Sequence, residues 1–345
     1  MLTHFAPANF EAEVERLTEL FAAGGADAPA FVYNEPPRDL GELRGELEHL
    51  ARALDRMGVL GRLYAERANE IALEAAVAEA RETPALCALA IARFGAREAD
   101  LPSADALARA WLSTASLDDR EPDAGEARVL SDDLDDPRSL LRRLRGELEA
   151  RGVEVRVQVA RSLVPLAAVG EGMIFVAPAR SMTIEDVERT VLHEVEGHVL
   201  PSVRARMEPV GLGRAGSARG ADTQEGLALL FEERHGFLRG RRRVELAARH
   251  LASRGVHEGR DFIELVRELV ATGVSVALAV RSTARAFRGG GLGREATYLP
   301  AFITVERVLA ASSRADALEA ALARGRLSLE AVRVLEDLAA GEPAG

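Results

Sequence analysis

Two histidines and two glutamates fall within the segment His193-Glu194-Val195-Glu196-Gly197-His198. Imidazole is a common metal ligand, and a carboxylate beside a ligand can take a proton from a metal-activated water. The zinc-protease helix spaces its histidines at i and i+4, on one face. Here one further residue intervenes. At about 100° per residue, an i,i+5 pair on a regular helix is separated by about 140°. Two such rings would not converge on one ion. The spacing therefore predicts a bulged helix between Glu194 and His198, with Gly197 placed where a distorted backbone costs least. On this reading His193 and His198 are ligands, Glu194 is the general base, and zinc lowers the pKa of its water to about 7. Iron and manganese also suit histidine and carboxylate donors. The same letters would serve as ordinary surface polarity, so the segment needs support from elsewhere in the chain.

A catalytic zinc takes three protein ligands and keeps a position open. Glu225, in Thr223-Gln224-Glu225-Gly226-Leu227-Ala228, is a candidate third ligand from the next helix. Asp222 and Glu225 would equally make a capping box. Gly226 favours the ligand reading, since a good helix would not choose glycine there. Glu232 and Glu233 are rivals one to two turns on.

The elements that would carry these groups are largely helical. Thr183 caps the site helix, Asp186 sits at its third position, and Ile184, Val187, Val191 and Val195 form an apolar stripe. Further helices are expected near 222–234, 244–253, 261–272, 274–286, 301–311, 314–323 and 328–338. Before them, helices are expected from Phe10 to Phe21, from Asp39 to about Arg56, from about Leu60 to Arg81, over Ala104–Thr114 and over Ser139–Ala150. Phe31–Pro37 is extended, because its prolines forbid helix. Val153–Val159 alternates as a half-buried strand, and Met173–Val176 is a second short one. The fold expected is mainly α (α+β), a helical catalytic domain with a small β-sheet beside the site helix, preceded by a helical N-terminal region. The acidic run from Asp118 to Pro137 divides 1–117 from 138–345 as a solvated linker.

Composition narrows the function. The chain has 345 residues, 48% of them hydrophobic, enough for a real core in two lobes or domains. A net charge of −11 argues against a nucleic-acid partner. Every basic residue is arginine, so Schiff-base chemistry and a P-loop are excluded. The single cysteine, Cys87, lies in an apolar helical stretch and reads as a buried inert thiol. Arg239-Gly240-Arg241-Arg242-Arg243 reads as a solvated helix junction. No apolar run reaches the ~18 residues of a membrane span, so a soluble cytoplasmic protein with no membrane partner is expected. His235, His250 and His257 show no partner pattern.

Together, His193–His198 and Gln224-Glu225-Gly226-Leu227-Ala228 resemble the bacterial QEGLA-motif family, which is related to the microtubule-associated tyrosine carboxypeptidases. The resemblance extends to Pro209, to Arg285-Ala286-Phe287-Arg288-Gly289-Gly290 with Tyr298-Leu299, and to Phe31–Pro37. It implies a zinc metallopeptidase with His193, His198 and Glu225 as ligands and Glu194 as base. It also implies removal of a C-terminal residue, tyrosine or phenylalanine, from a peptide or protein substrate. Glu196 departs from the pattern by adding a carboxylate near the metal, and Gly289–Glu295 fits it loosely.

A carboxypeptidase must bind a terminal carboxylate, which arginine does best. Arg281, Arg285 and Arg288 stand at helical spacing and are candidates for that role, against a solvated basic face. Tyr298 is a candidate donor to the oxyanion formed at the scissile carbonyl. An exopeptidase of dipeptidyl-peptidase type, which carries a similar histidine segment, is the alternative enzyme. A closed structural site with Glu196 as fourth ligand is the non-catalytic alternative.

Overall fold

The computed structural model describes residues 5–34, 39–95, 100–116, 119, 126–161, 163–170 and 172–340. Helices make up 65% of it, against a few short strands, so the chain is mainly α with small sheets. Among the described residues no helix is long and apolar enough to cross a membrane. The chain forms two compact units, each assembled from separated segments.

The unit built from 43–72, 125–237 and 304–345 holds both sheets. Strand β1 (Arg128–Leu130) pairs antiparallel with β5 (Ser181–Thr183). Strand β2 (Arg156–Val159) runs parallel to β4 (Met173–Val176), and β3 (Ala167–Gly170) pairs antiparallel with β4, giving the order β2-β4-β3. The expected strand from Val153 starts only at Arg156; Val153 and Val155 precede it and still pack on the core. The helix Leu140–Ala150 begins at Ser139, whose hydroxyl accepts from the Arg142 amide. Its Leu140, Leu141, Leu144 and Leu148 are buried with Val157, Ile174, Val176, Met182, Val187 and Val191. Burying each such side chain contributes roughly 1.5–3 kcal/mol. This core clamps the site helix against both sheets.

The second half of the acidic run is built rather than merely solvated. After β1, the Asp133 carboxylate accepts from the Asp135 and Asp136 amides, Asp132 accepts from the Ala179 amide, and Ser139 donates to the Asp133 carbonyl. Positions 117–118 and 120–125 of that segment lie outside the described residues, as do 35–38 of the Phe31–Pro37 segment.

The other unit comprises 1–42, 73–124 and 238–303. Its helix Gly240–His257 packs on Leu101–Thr114 and Val276–Ala286, and Val276–Ala286 also meets Phe10–Ala22 and Phe262–Ala271. Phe5, Val77, Leu86, Ala90, Phe94 and Leu292 form one of its cores. The Arg239–Arg243 cluster opens the helix Gly240–His257 and is more enclosed than a solvated junction, with Arg243 stacked 5.5 Å over the Trp111 ring. Cys87 lies in helix Leu86–Phe94 and is half-buried rather than buried, its Sγ 3.9 Å from the Val256 carbonyl.

Candidate metal centre

The site helix Ile184–Glu194 starts where β5 ends. Thr183 leaves the strand, and its hydroxyl accepts from the Asp186 amide as N-cap. Val187, Val191 and Val195 turn into the core and fix the roll of the helix. The α-helical pattern then gives way to a π-helical turn over Val195–Val199 and resumes over Leu200–Ala205. One extra residue is thereby taken into a continuous helix, the device that the five-residue histidine spacing requires. Gly197 serves this turn by close approach. A Cβ there would lie 2.5 Å from the Ala228 Cβ on helix Gly220–Arg234.

Glu225 comes from that second helix. The helix starts at Gly220, two residues earlier than expected, and no side chain caps it. Asp222 therefore lies inside the first turn, where it pairs with Arg219 at 3.3 Å, and the capping-box reading of Asp222 and Glu225 does not hold. The N-terminus is anchored instead by buried Glu70, which accepts from the Arg219 amide at 2.8 Å and pairs with Arg67. Gln224 is buried and donates to the Gly325 carbonyl at 3.4 Å.

With both helices seated, three donor atoms meet. His193 Nε2 and His198 Nε2 are 3.4 Å apart, and Glu225 Oε2 is 3.4 Å from the first and 3.6 Å from the second. Donors about 2.0–2.1 Å from a tetrahedral ion are separated by roughly 3.3–3.4 Å. The triangle is thus one face of a tetrahedron of zinc-like size. Among the described residues this trio is the one group of histidine and acidic side chains that could hold a metal.

The surroundings suit a cation. Burial would push the Glu225 carboxyl up, but the His198 and His193 charges and hydrogen bonds hold it well below the usual carboxylate range. Burial disfavours the His193 imidazolium, but hydrogen bonds to Glu225 and Glu232 outweigh it and raise the ring to about 10. Glu194 is buried, and that burial raises its carboxyl against the pull of both histidines, which makes it a better proton acceptor than a solvated glutamate.

Glu232 was readable only as a rival ligand. The structure gives it another part: fully buried, its Oε1 is 2.7 Å from His193 Nδ1, on the side of the ring away from Glu225. The signal was its spacing, since a residue seven after Glu225 returns to the same helix face. Glu233 stays outside the trio. So does Glu196, which turns to Arg151, 2.7 Å away at the end of helix Leu140–Ala150.

Arg281, Arg285, Arg288 and Tyr298 lie in the other unit. Arg281 pairs with Glu11 through two nitrogens, at 3.1 and 2.7 Å. Arg285 pairs with buried Glu295, and Arg288 donates to the Arg285 carbonyl. Tyr298 opens the helix Tyr298–Ala311. Of the remaining histidines, His250 is wholly buried against Asp105 at 2.7 Å, His257 faces the Leu292 carbonyl, and His235 is exposed.

A mainly helical chain thus brings together, from an interrupted helix and the helix that follows it, a His–His–Glu group that could hold a metal ion. The chain belongs to the microtubule-associated tyrosine carboxypeptidase family, whose model matches residues 18–343. No curated protein matches the sequence significantly.

Proposed function

We propose that this chain is a zinc-dependent carboxypeptidase acting on the C-terminus of a peptide or protein, with tyrosine or phenylalanine as the residue released. The observation that carries the reading is the near-equilateral triangle of His193 Nε2, His198 Nε2 and Glu225 Oε2. Family membership supplies the reaction class. The three atoms would hold zinc through one face and leave the remaining position open, since Glu196 is held by Arg151. Bound there, zinc would acidify a water and polarise the scissile carbonyl.

The chain's own residues do the rest. Glu194 accepts the proton of the attacking water on its carboxylate and returns it to the leaving amine. Glu232 holds His193 Nδ1–H, so that Nε2 faces the triangle.

The test measures bound metal and released amino acids together. Glu194→Gln is expected to keep about one zinc per chain and lose activity by a factor on the order of 10²–10⁴. His198→Ala and Glu225→Ala should lose both. Peptides with an amidated C-terminus should resist cleavage, while N-acetylated ones are cut. Cleavage that is blocked by N-acetylation instead would establish the dipeptidyl-peptidase alternative.

A further inference from the structure

A second concentration of charge, with Arg288 and Glu295 buried and Arg249 and Arg285 partly so, lies within residues 238–303. Helix Gly240–His257 supplies Arg249, helix Val276–Ala286 supplies Arg285, Arg288 follows directly, and the 3₁₀ turn Arg294–Thr297 supplies Glu295. Three guanidiniums face one carboxylate. Arg285 directs both Nε and Nη2 at the same oxygen, Glu295 Oε1, at 2.6 and 2.5 Å. Glu295 Oε2 is buried and accepts no hydrogen bond among the described residues.

The other two guanidiniums are poorly matched. Arg249 makes no side-chain hydrogen bond among the described residues; its Nε stands 3.6 Å from Glu295 Oε2 and its Nη2 3.9 Å from Glu245 Oε2. The Arg288 side chain is only 9% exposed, yet it commits Nε alone, to the Arg285 carbonyl, while Nη2 stays 3.8 Å from Glu295 Oε1. Burial, and after it the Arg285 charge, push Arg249 and Arg288 down to about 10 each. Buried charge left uncompensated is costly to a fold. Arginine also presents planar pairs of donors that fit carboxylate and phosphate oxygens. Arg281 is outside the cluster, at the surface with Glu11.

We propose that Arg249, Arg285 and Arg288 form an oxyanion pocket that takes a carboxylate or phosphate group, with Glu295 as the internal anion that holds Arg285 in place. Arg249 and Arg288 supply the donors. The free-carboxylate arm of the test rests on the proposed carboxypeptidase function. The pocket itself stands without the metal triad.

The test is thermal unfolding of the full chain in inorganic phosphate at constant ionic strength, with ³¹P line broadening of the same ligand as a direct readout. Phosphate should raise the midpoint saturably. Arg249→Met and Arg288→Met should each weaken phosphate at least about tenfold. Arg138→Met, at an exposed arginine paired with Asp136, should respond as the unsubstituted chain does. Glu225→Ala, which breaks the metal triad, should keep the response, so failure of the pocket and failure of the zinc reading are told apart. Displacement of phosphate by a peptide with a free C-terminus, but not by its amide, names the carboxylate as the source; resistance to both names phosphate. No saturable shift and no ³¹P broadening, or full responses in Arg249→Met and Arg288→Met, overturns the pocket.

Discussion

Removing the Glu232 carboxylate would leave His193 Nδ1 without its 2.7 Å partner and its ring free to turn. Nε2 would then no longer be held toward the triangle. Partners of this kind typically cost 10–100-fold in metal affinity when lost. Glu232→Leu, which removes the acceptor at similar volume, should therefore weaken zinc by about 10–100-fold, read by competition with a chromophoric chelator; unchanged affinity would remove Glu232 from the site. At this scale the sequence was informative about who gathers and less so about how. His193 and His198 could be singled out because spacing along a helix is a local property, whereas Glu225, on another helix, stood beside the rivals Glu232 and Glu233 and was favoured by Gly226 and the resemblance. The role of Glu232 depended on which side of an imidazole it meets, and that is set by the packing of two helices far apart in sequence. Glu196 shows the same limit. Beside a ligand it looked like a possible fourth donor, and only the position of Arg151 turns it away.

The π-helical turn follows from spacing at the scale of the element. Two histidines five apart could share an ion only on a bulged helix, and Val195–Val199 is bulged. The reason for Gly197 was not legible, because backbone tolerance and close packing select the same residue. Gly197→Ala puts a methyl 2.5 Å from the Ala228 Cβ, well inside van der Waals contact. Overpacking of this kind costs typically 1–3 kcal/mol. The variant is expected to lose about that much stability in urea and to bind zinc more weakly, because the turn and Glu225's helix must separate. Full stability and full zinc affinity would show that the contact is slack. The helix start gives a smaller effect: Thr183→Ala removes the cap on Asp186 N–H and should cost about 1 kcal/mol. Strands were the poorly legible elements. β1, β3 and β5 are three or four residues long, too short for alternation to register, and their pairing partners are distant in sequence.

The composition of the whole molecule has a consequence that no single element shows. The chain is acidic overall, yet the segment 238–303 gathers three guanidiniums around the one buried carboxylate of Glu295. Which distant segments share a compact unit was beyond periodicity, since each unit draws on three separated stretches. The charge balance makes Glu295 a determinant of acid stability. Burial disfavours its ionised form, but Arg285, Arg249 and Arg288 overcome this and lower the carboxyl to about 2. A solvated glutamate titrates near 4.3. The folded value is depressed, so the contribution is fully present above about pH 4.3 and is lost as pH falls toward about 2; it amounts to about 3 kcal/mol. Glu295→Gln should be less stable at neutral pH, because three guanidiniums lose their counter-charge. Between pH 4.3 and 2 it should also lose about 3 kcal/mol less than the unsubstituted chain does. Urea unfolding across that range reads both effects. Parallel pH profiles for the two chains would mean that the buried cluster around Glu295 is not what makes the molecule sensitive to acid.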